Sequence, residues 1–166
     1  MRFKKVTIVA ALVISVWLCV TLFGLNSFGI HDSWPAFLVL LFFFESGAKT
    51  EKLKSIFLGA AVGLLVALCL FKGVELLAPT LGLQMSIFVM VFLSVFLLIA
   101  LGDISHVLFN NYAFCYFTVA LIYQQQATIQ WLLVLFLGGG FFVGAVILSL
   151  NKLLKPKNAS PKATTD

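Results

Sequence analysis

Charge is scarce in this chain: only 10% of its 166 residues are charged, six of them acidic, and just two are histidine. No nucleophile stands beside a base and an orienting group, and no Walker loop, HExxH or Rossmann glycine pattern occurs. The sequence therefore supports no enzymatic activity and implies no cofactor. Cysteine is equally sparse. Cys19, Cys69 and Cys115 each lie in an apolar stretch without CxxC or CxxxH spacing. That argues against a disulfide framework and against a zinc or other metal site.

What is abundant is apolar surface. The chain is 62% hydrophobic and carries 18 phenylalanines, whereas soluble domains are roughly half apolar and about a quarter charged. Repeated apolar runs of about 20 residues cannot all be hidden in one small globule with a polar exterior. The chain reads as all-α and polytopic, one membrane domain whose first partner is lipid.

The net charge of +5 is not a nucleic-acid signature. The basic residues fall into Arg2, Lys4 and Lys5, then Lys49, Lys52 and Lys54, then Lys72, then Lys152, Lys155, Lys157 and Lys162. They flank apolar segments, which is how topology-setting loops look, and no separate basic stripe with exposed aromatics exists. The basic start and first apolar run resemble a signal peptide, but no small-x-small cleavage pattern follows, and Val16, Trp17 and Leu18 are too bulky for a lipoprotein site before Cys19. Val6 to Leu25 is read as a retained span.

Six apolar segments can be drawn: Val6 to Leu25, Trp34 to Phe44, Ile56 to Ala78, Leu83 to Leu101, Val107 to Tyr123 and Trp131 to Leu150. The second has 11 apolar residues, about 17 Å of helix against roughly 30 Å of hydrocarbon. The fifth is interrupted by Asn110 and Asn111, leaving a clean run of Tyr112 to Tyr123. Lysine placement decides between crossing and re-entrance. Six crossings put the basic N-terminus, the 49–54 loop and the basic tail on one side, leaving only Lys72 elsewhere, so both termini are expected in the cytoplasm. The second span would be completed by Ser33 and by Glu45 to Ala48, with Lys49 snorkelling outward. Residues 78–82, with Pro79 and Gly82, are expected to break the chain between spans three and four, and residues 124–130 to separate five from six. Residues 1–154 form the membrane domain; residues 155–166 read as a disordered cytoplasmic tail.

The two halves, 1–80 and 81–154, resemble one another. Phe23-Gly24 matches Leu101-Gly102, Pro35-Ala36-Phe37 matches Tyr112-Ala113-Phe114, and Gly59-x-x-x-Gly63 matches Gly140-x-x-x-Gly144, at offsets of 78, 77 and 81 residues. Three spans per half is an odd number, so a duplication would be a 3+3 inverted repeat, and a short segment at matching places in both halves is the usual pointer to a transport site.

Few polar groups lie near the short segments. Glu45 follows three phenylalanines and is read either as the i,i+4 partner of Lys49 on a helix or as a cation- or proton-binding acid at a vestibule. Asn110 and Asn111 are interhelical hydrogen-bonding groups, and if the fifth span is broken there they can line a polar path. Gly59, Gly63, Gly140 and Gly144 have the small-xxx-small spacing of close helix packing. Lys72 and Glu75 form a self-neutralising i,i+3 pair. Asp32 and Ser33 suit helix capping ahead of Pro35. His31-Asp32 and Asp103 with His106 precede the two short spans on opposite faces, so they cannot share one metal site.

Trp34-x-x-Phe37-Leu38, Gly47 after the short span, a glycine-bearing third span leading to Ala78-Pro79, and a glycine-rich last span resemble the YcdZ-like family of small bacterial inner-membrane proteins of unknown function. The likeness extends over most of the chain except the tail. It implies a six-helix inner-membrane protein and brings no substrate or catalytic residue. The resulting expectation is a transporter or channel-like protein for a small solute or ion, assembled as a homo-oligomer, with a non-transporting scaffold or accessory subunit as the competing class.

Overall fold

Residues 5–123 and 127–154 are described by a computed structural model of the protein, and every regular element among them is helical. The order is α1 (Lys5–Ser27), α2 (Trp34–Glu45), α3 (Leu53–Leu81), α4 (Leu83–Ala100), α5 (Asn111–Tyr123), α6 (Thr128–Leu133), a π-helical segment (Val134–Gly139) and α7 (Gly140–Leu154). The N-terminal Arg2 and Lys4, the tail at 155–166 and residues 124–126 of the 124–130 link lie outside the described residues.

Four stretches are long and apolar enough to cross a membrane: Thr7–Ser27, Thr50–Leu81, Leu83–Asp103 and Thr128–Leu153. The other two helices are short. With 12 and 13 residues, α2 and α5 reach only about 18 and 20 Å. Their position explains how such lengths are tolerated. Seven residues of α2 are buried, among them Ala36, Val39, Phe42 and Phe43, and Ala113, Tyr116, Phe117 and Ala120 of α5 are buried likewise. The short helices form the centre of the bundle. By contrast α4 buries only Ser86, Ser94 and Leu98 and exposes large side chains such as Phe88 and Phe92. That apolar exterior suits hydrocarbon and would be a severe liability in water.

The long helices grip the short ones through glycine. Ile56, Gly59, Ala60, Gly63, Leu64 and Ala67 of α3 are buried at helical spacing, giving a stripe that faces α5. A Cβ on Gly63 would collide with the Ala113 carbonyl and the Phe117 nitrogen. The last helix holds α2 in the corresponding way: a Cβ on Gly139 would meet Val39 and one on Gly138 would touch Ala36. Each short helix thus rests on the third helix of the other half. The outer helices follow the same exchange. Met90 of α4 lies over Gly73 of α3, while Trp17 of α1 donates its Nε1–H to Ser149 of α7 at 2.8 Å and stands edge-on to Phe141.

Several expectations need correction. The second span does not continue as helix to Ala48. It ends at Glu45, because Gly47 takes φ 77° and closes a Schellman turn, with Ala48 N–H donating to the Phe43 carbonyl at 2.9 Å and Gly47 N–H to the Phe44 carbonyl at 3.0 Å. The break expected at residues 78–82 does occur, and it falls at Gly82, with φ 78°, while α3 runs through Pro79 to Leu81. The fifth helix starts at Asn111 and not at Val107. The sixth begins at Thr128, within the expected link, and carries a π-helical segment that ends in the glycine run. Gly140 and Gly144 have nothing within 4 Å of a built Cβ, so the close approach belongs to Gly138 and Gly139.

Gly63→Ala is expected to lower stability by about 1–3 kcal/mol through overpacking of α3 on α5, whereas Gly144→Ala should change it by less than about 0.5 kcal/mol. Thermal unfolding of the two variants in one detergent distinguishes them.

Candidate vestibule at the Glu45 end of the bundle

Two connections meet where α2 ends: the turn at 46–52 leading into α3, and the stretch after α4. The latter runs through a short 3-10 turn, Leu101–Asp103, and then irregularly to Asn110. Between them lies an open cleft of about 740 Å³. Glu45, Lys52, Asp103, His106, Asn110 and Asn111 all line it, above an apolar wall that includes Phe42, Phe109 and Phe114.

Asn110 is the best-anchored of these groups. Its Oδ1 accepts the Ala113 N–H at 3.1 Å, and its backbone carbonyl accepts Phe114 N–H at 3.1 Å, which makes it the N-cap of α5. Its Nδ2 donates within the loop to the Val107 and His106 carbonyls at 2.9 and 3.2 Å, and across to Ser55 of α3, at 3.1 Å to Oγ and 3.3 Å to the carbonyl. Four acceptors share two hydrogens, so the amide is saturated. The side chain fits only because position 59 is glycine: a Cβ there would overlap the Asn110 amide. Ser55, Gly59 and Gly63 recur every four residues, so the small-residue face that receives α5 extends up to this polar anchor.

Asn111 and Glu45 are exposed to the cleft. The i,i+4 pairing of Glu45 with Lys49 is not made. The Schellman turn separates them, and the ion pair among the described residues is that of Lys72 with Glu75, at 2.9 Å and exposed. Glu45 is therefore left facing the cleft, which Tyr112 and Lys52 also line. Two carboxylates, one ammonium group, one imidazole and the Asn111 amide around an open volume can hold a small polar or charged solute. Among the described residues no group of three or more His, Cys, Asp or Glu is arranged to hold a metal ion.

Sequence reasoning found Glu45, Asn110 and Asn111, and the fold brings these three to one cleft. It missed Ser55, whose spacing from Gly59 was the available signal, and it missed that Lys52, Asp103 and His106 share the same volume. His31 and Asp32 lie at the other end of α2. Ser33 occupies the cap position of α2 without a side-chain capping bond, and Asp32 instead accepts the Trp131 Nε1–H at 3.1 Å.

A sequence model of a family described as "Protein of unknown function (DUF1097)" matches residues 8–151. Comparison with curated proteins gave no match, and comparison with solved structures gave none.

Asn110→Ala should cost about 1–2 kcal/mol through the lost cap, and Gly59→Ala, destabilising on its own, should cost at least about 0.5 kcal/mol less in the Asn110→Ala background because the two sites are in contact. Unfolding midpoints of the two single variants and the double variant provide the cycle.

Proposed function

The chain belongs to the DUF1097 family, and within that family of unknown function we propose that it is an integral protein of the bacterial inner membrane that passes a small solute or ion, with the Glu45 cleft as its cytoplasmic vestibule. The observation that carries this reading is the gathering of Glu45, Asn110 and Asn111 with Lys52, Asp103 and His106 around one open polar volume beside the two short helices. Polar groups at membrane depth are costly unless they face water or one another, and they mark pathways more often than packing.

The orientation follows from lysine. Lys49, Lys52 and Lys54 flank the cleft end of α2 and α3, and a basic excess marks the cytoplasmic side. Six crossings with both termini cytoplasmic satisfy this, and the likeness to YcdZ-like inner-membrane proteins agrees with it. The reciprocal seating of α5 on α3 and of α2 on the last helix supports a 3+3 inverted repeat, since exchange of halves maps one contact onto the other. Assembly of several copies belongs to the same reading, because six helices, two of them short, enclose little volume. No catalysed reaction is part of it.

A non-transporting scaffold is the second reading, and one observation favours it: beyond the cleft the middle of the bundle is filled by Tyr116 and Phe117, each 2% exposed or less.

Flux decides between them. In liposomes containing the purified protein, at least one of rubidium, protons and glycine should cross faster than in empty liposomes, and Glu45→Gln and Asn111→Leu should each slow it by roughly tenfold, the equivalent of about 1.4 kcal/mol. Equal flux in every sample, empty liposomes included, favours the scaffold.

A further inference from the structure

The end of the bundle opposite the cleft is built from matching parts, and aromatic rings close its centre, with a peripheral cleft of about 450 Å³ beside them lined by Asn26, His31 and Ser33. Asn110 and Ser33 are the residues before the short helices, 77 positions apart, and each is beside a polar tie to the third helix of the other half. At the open end the tie runs from Asn110 to Ser55. At the shut end it runs from Asp32 to Trp131. Asp32 lies 78 residues before Asn110, and Ser55 lies 76 before Trp131.

Where the open end has a cleft, the shut end has rings. Trp34 stacks on Tyr123 with centroids 5.7 Å apart and 18° between planes, and meets Trp131 edge-on at 5.3 Å. Tyr123 and Trp131 complete the cluster at 6.2 Å. These rings join the starts of α2 and α6 to the end of α5, so a path entering here is blocked.

The closure carries two unmet polar groups. Among the described residues Trp34 Nε1 and Thr128 Oγ1 have no hydrogen-bond partner, although Trp34 is 9% exposed and Thr128 only 2%. A buried donor without an acceptor raises the free energy of the state that buries it. Water reaching the cluster would supply both missing partners. What holds the rings in place is their mutual contact, the Trp131–Asp32 hydrogen bond and, next to Trp34, the bond from the Tyr116 hydroxyl to the Pro35 carbonyl.

We infer that Trp34, Tyr123 and Trp131 form a gate at the second mouth of the pathway, latched by the Asp32–Trp131 hydrogen bond and poised to open when that bond is released. The inference rests on the transport reading for what passes the gate, and on geometry alone for the gate itself. One mouth open with its symmetry mate closed is the arrangement that alternating access requires.

Thr128 is the reporter. With Cys19, Cys69 and Cys115 replaced by Ser, Thr128→Cys in the full-length protein in liposomes should react slowly with a membrane-impermeant maleimide. Asp32→Ala and Trp131→Phe each remove one partner of the latch, and each should speed that reaction by roughly tenfold through a shift toward the open state. Phe28→Cys, exposed already, should react at one rate in all backgrounds and so reports a preserved fold. If Trp131→Phe does not fold, Asp32→Ala decides. Unchanged labelling of Thr128→Cys overturns the gate even when rubidium, proton or glycine flux is present. Faster labelling with flux no greater than in empty liposomes upholds the gate and removes the transport reading.

Discussion

A helix of 12 or 13 residues spans about 18 to 20 Å, well short of roughly 30 Å of hydrocarbon, and this shortfall governs the structure. The ends of α2 and α5 bring unsatisfied backbone groups to depths where lipid offers no partner. Protein must supply them. Asn110 caps α5, the Schellman turn at Gly47 closes α2, and the Tyr116 hydroxyl donates to the Pro35 carbonyl at 2.6 Å in the buried middle, binding the two short helices to each other. The long helices then stand outside and meet lipid. The same shortfall leaves room for a funnel at each end, one occupied by the polar cleft and the other by the aromatic cluster.

Holding short helices in this way depends on close backbone approach more than on apolar burial, because lipid tails are as apolar as the core. Gly59 and Gly63 let α5 settle onto α3, and Gly138 and Gly139 let α2 settle onto the last helix. In the second case the backbone is also wider: Val134–Gly139 is a π-helical segment. Such segments place side chains out of the regular register and are frequent at functional sites. Here the segment begins three residues after Trp131, so the gate and the seat of α2 lie along one short stretch of helix.

Much of this was legible in residue order. The six apolar segments, the two short ones and the GxxxG face of α3 are all patterns of hydropathy and small-residue spacing, and those patterns carry into the fold because the exterior is solvated by lipid. Glu45, Asn110 and Asn111 stood out because polar residues beside short apolar runs are rare. What was not legible depended on backbone conformation or on distant partners. Glu45 and Lys49 have ideal helical spacing, yet Gly47 in the left-handed region parts them. Pro79 reads as a breaker, yet α3 continues past it to Leu81 and the chain reverses at Gly82. Of the glycines at 138, 139, 140 and 144, spacing favours the last two, while the widened turn presents the first two to α2. The aromatic cluster joins residues from three helices with no local motif among them.

The central claim is that α2, too short to cross by itself, nevertheless carries the chain from one side of the membrane to the other. Cysteines placed singly at His31 and Lys52 flank that helix and are both exposed. In sealed, oriented membranes an impermeant maleimide should label His31→Cys only from outside the cell and Lys52→Cys only from the cytoplasmic side. Labelling of both positions from the same side would contradict the account.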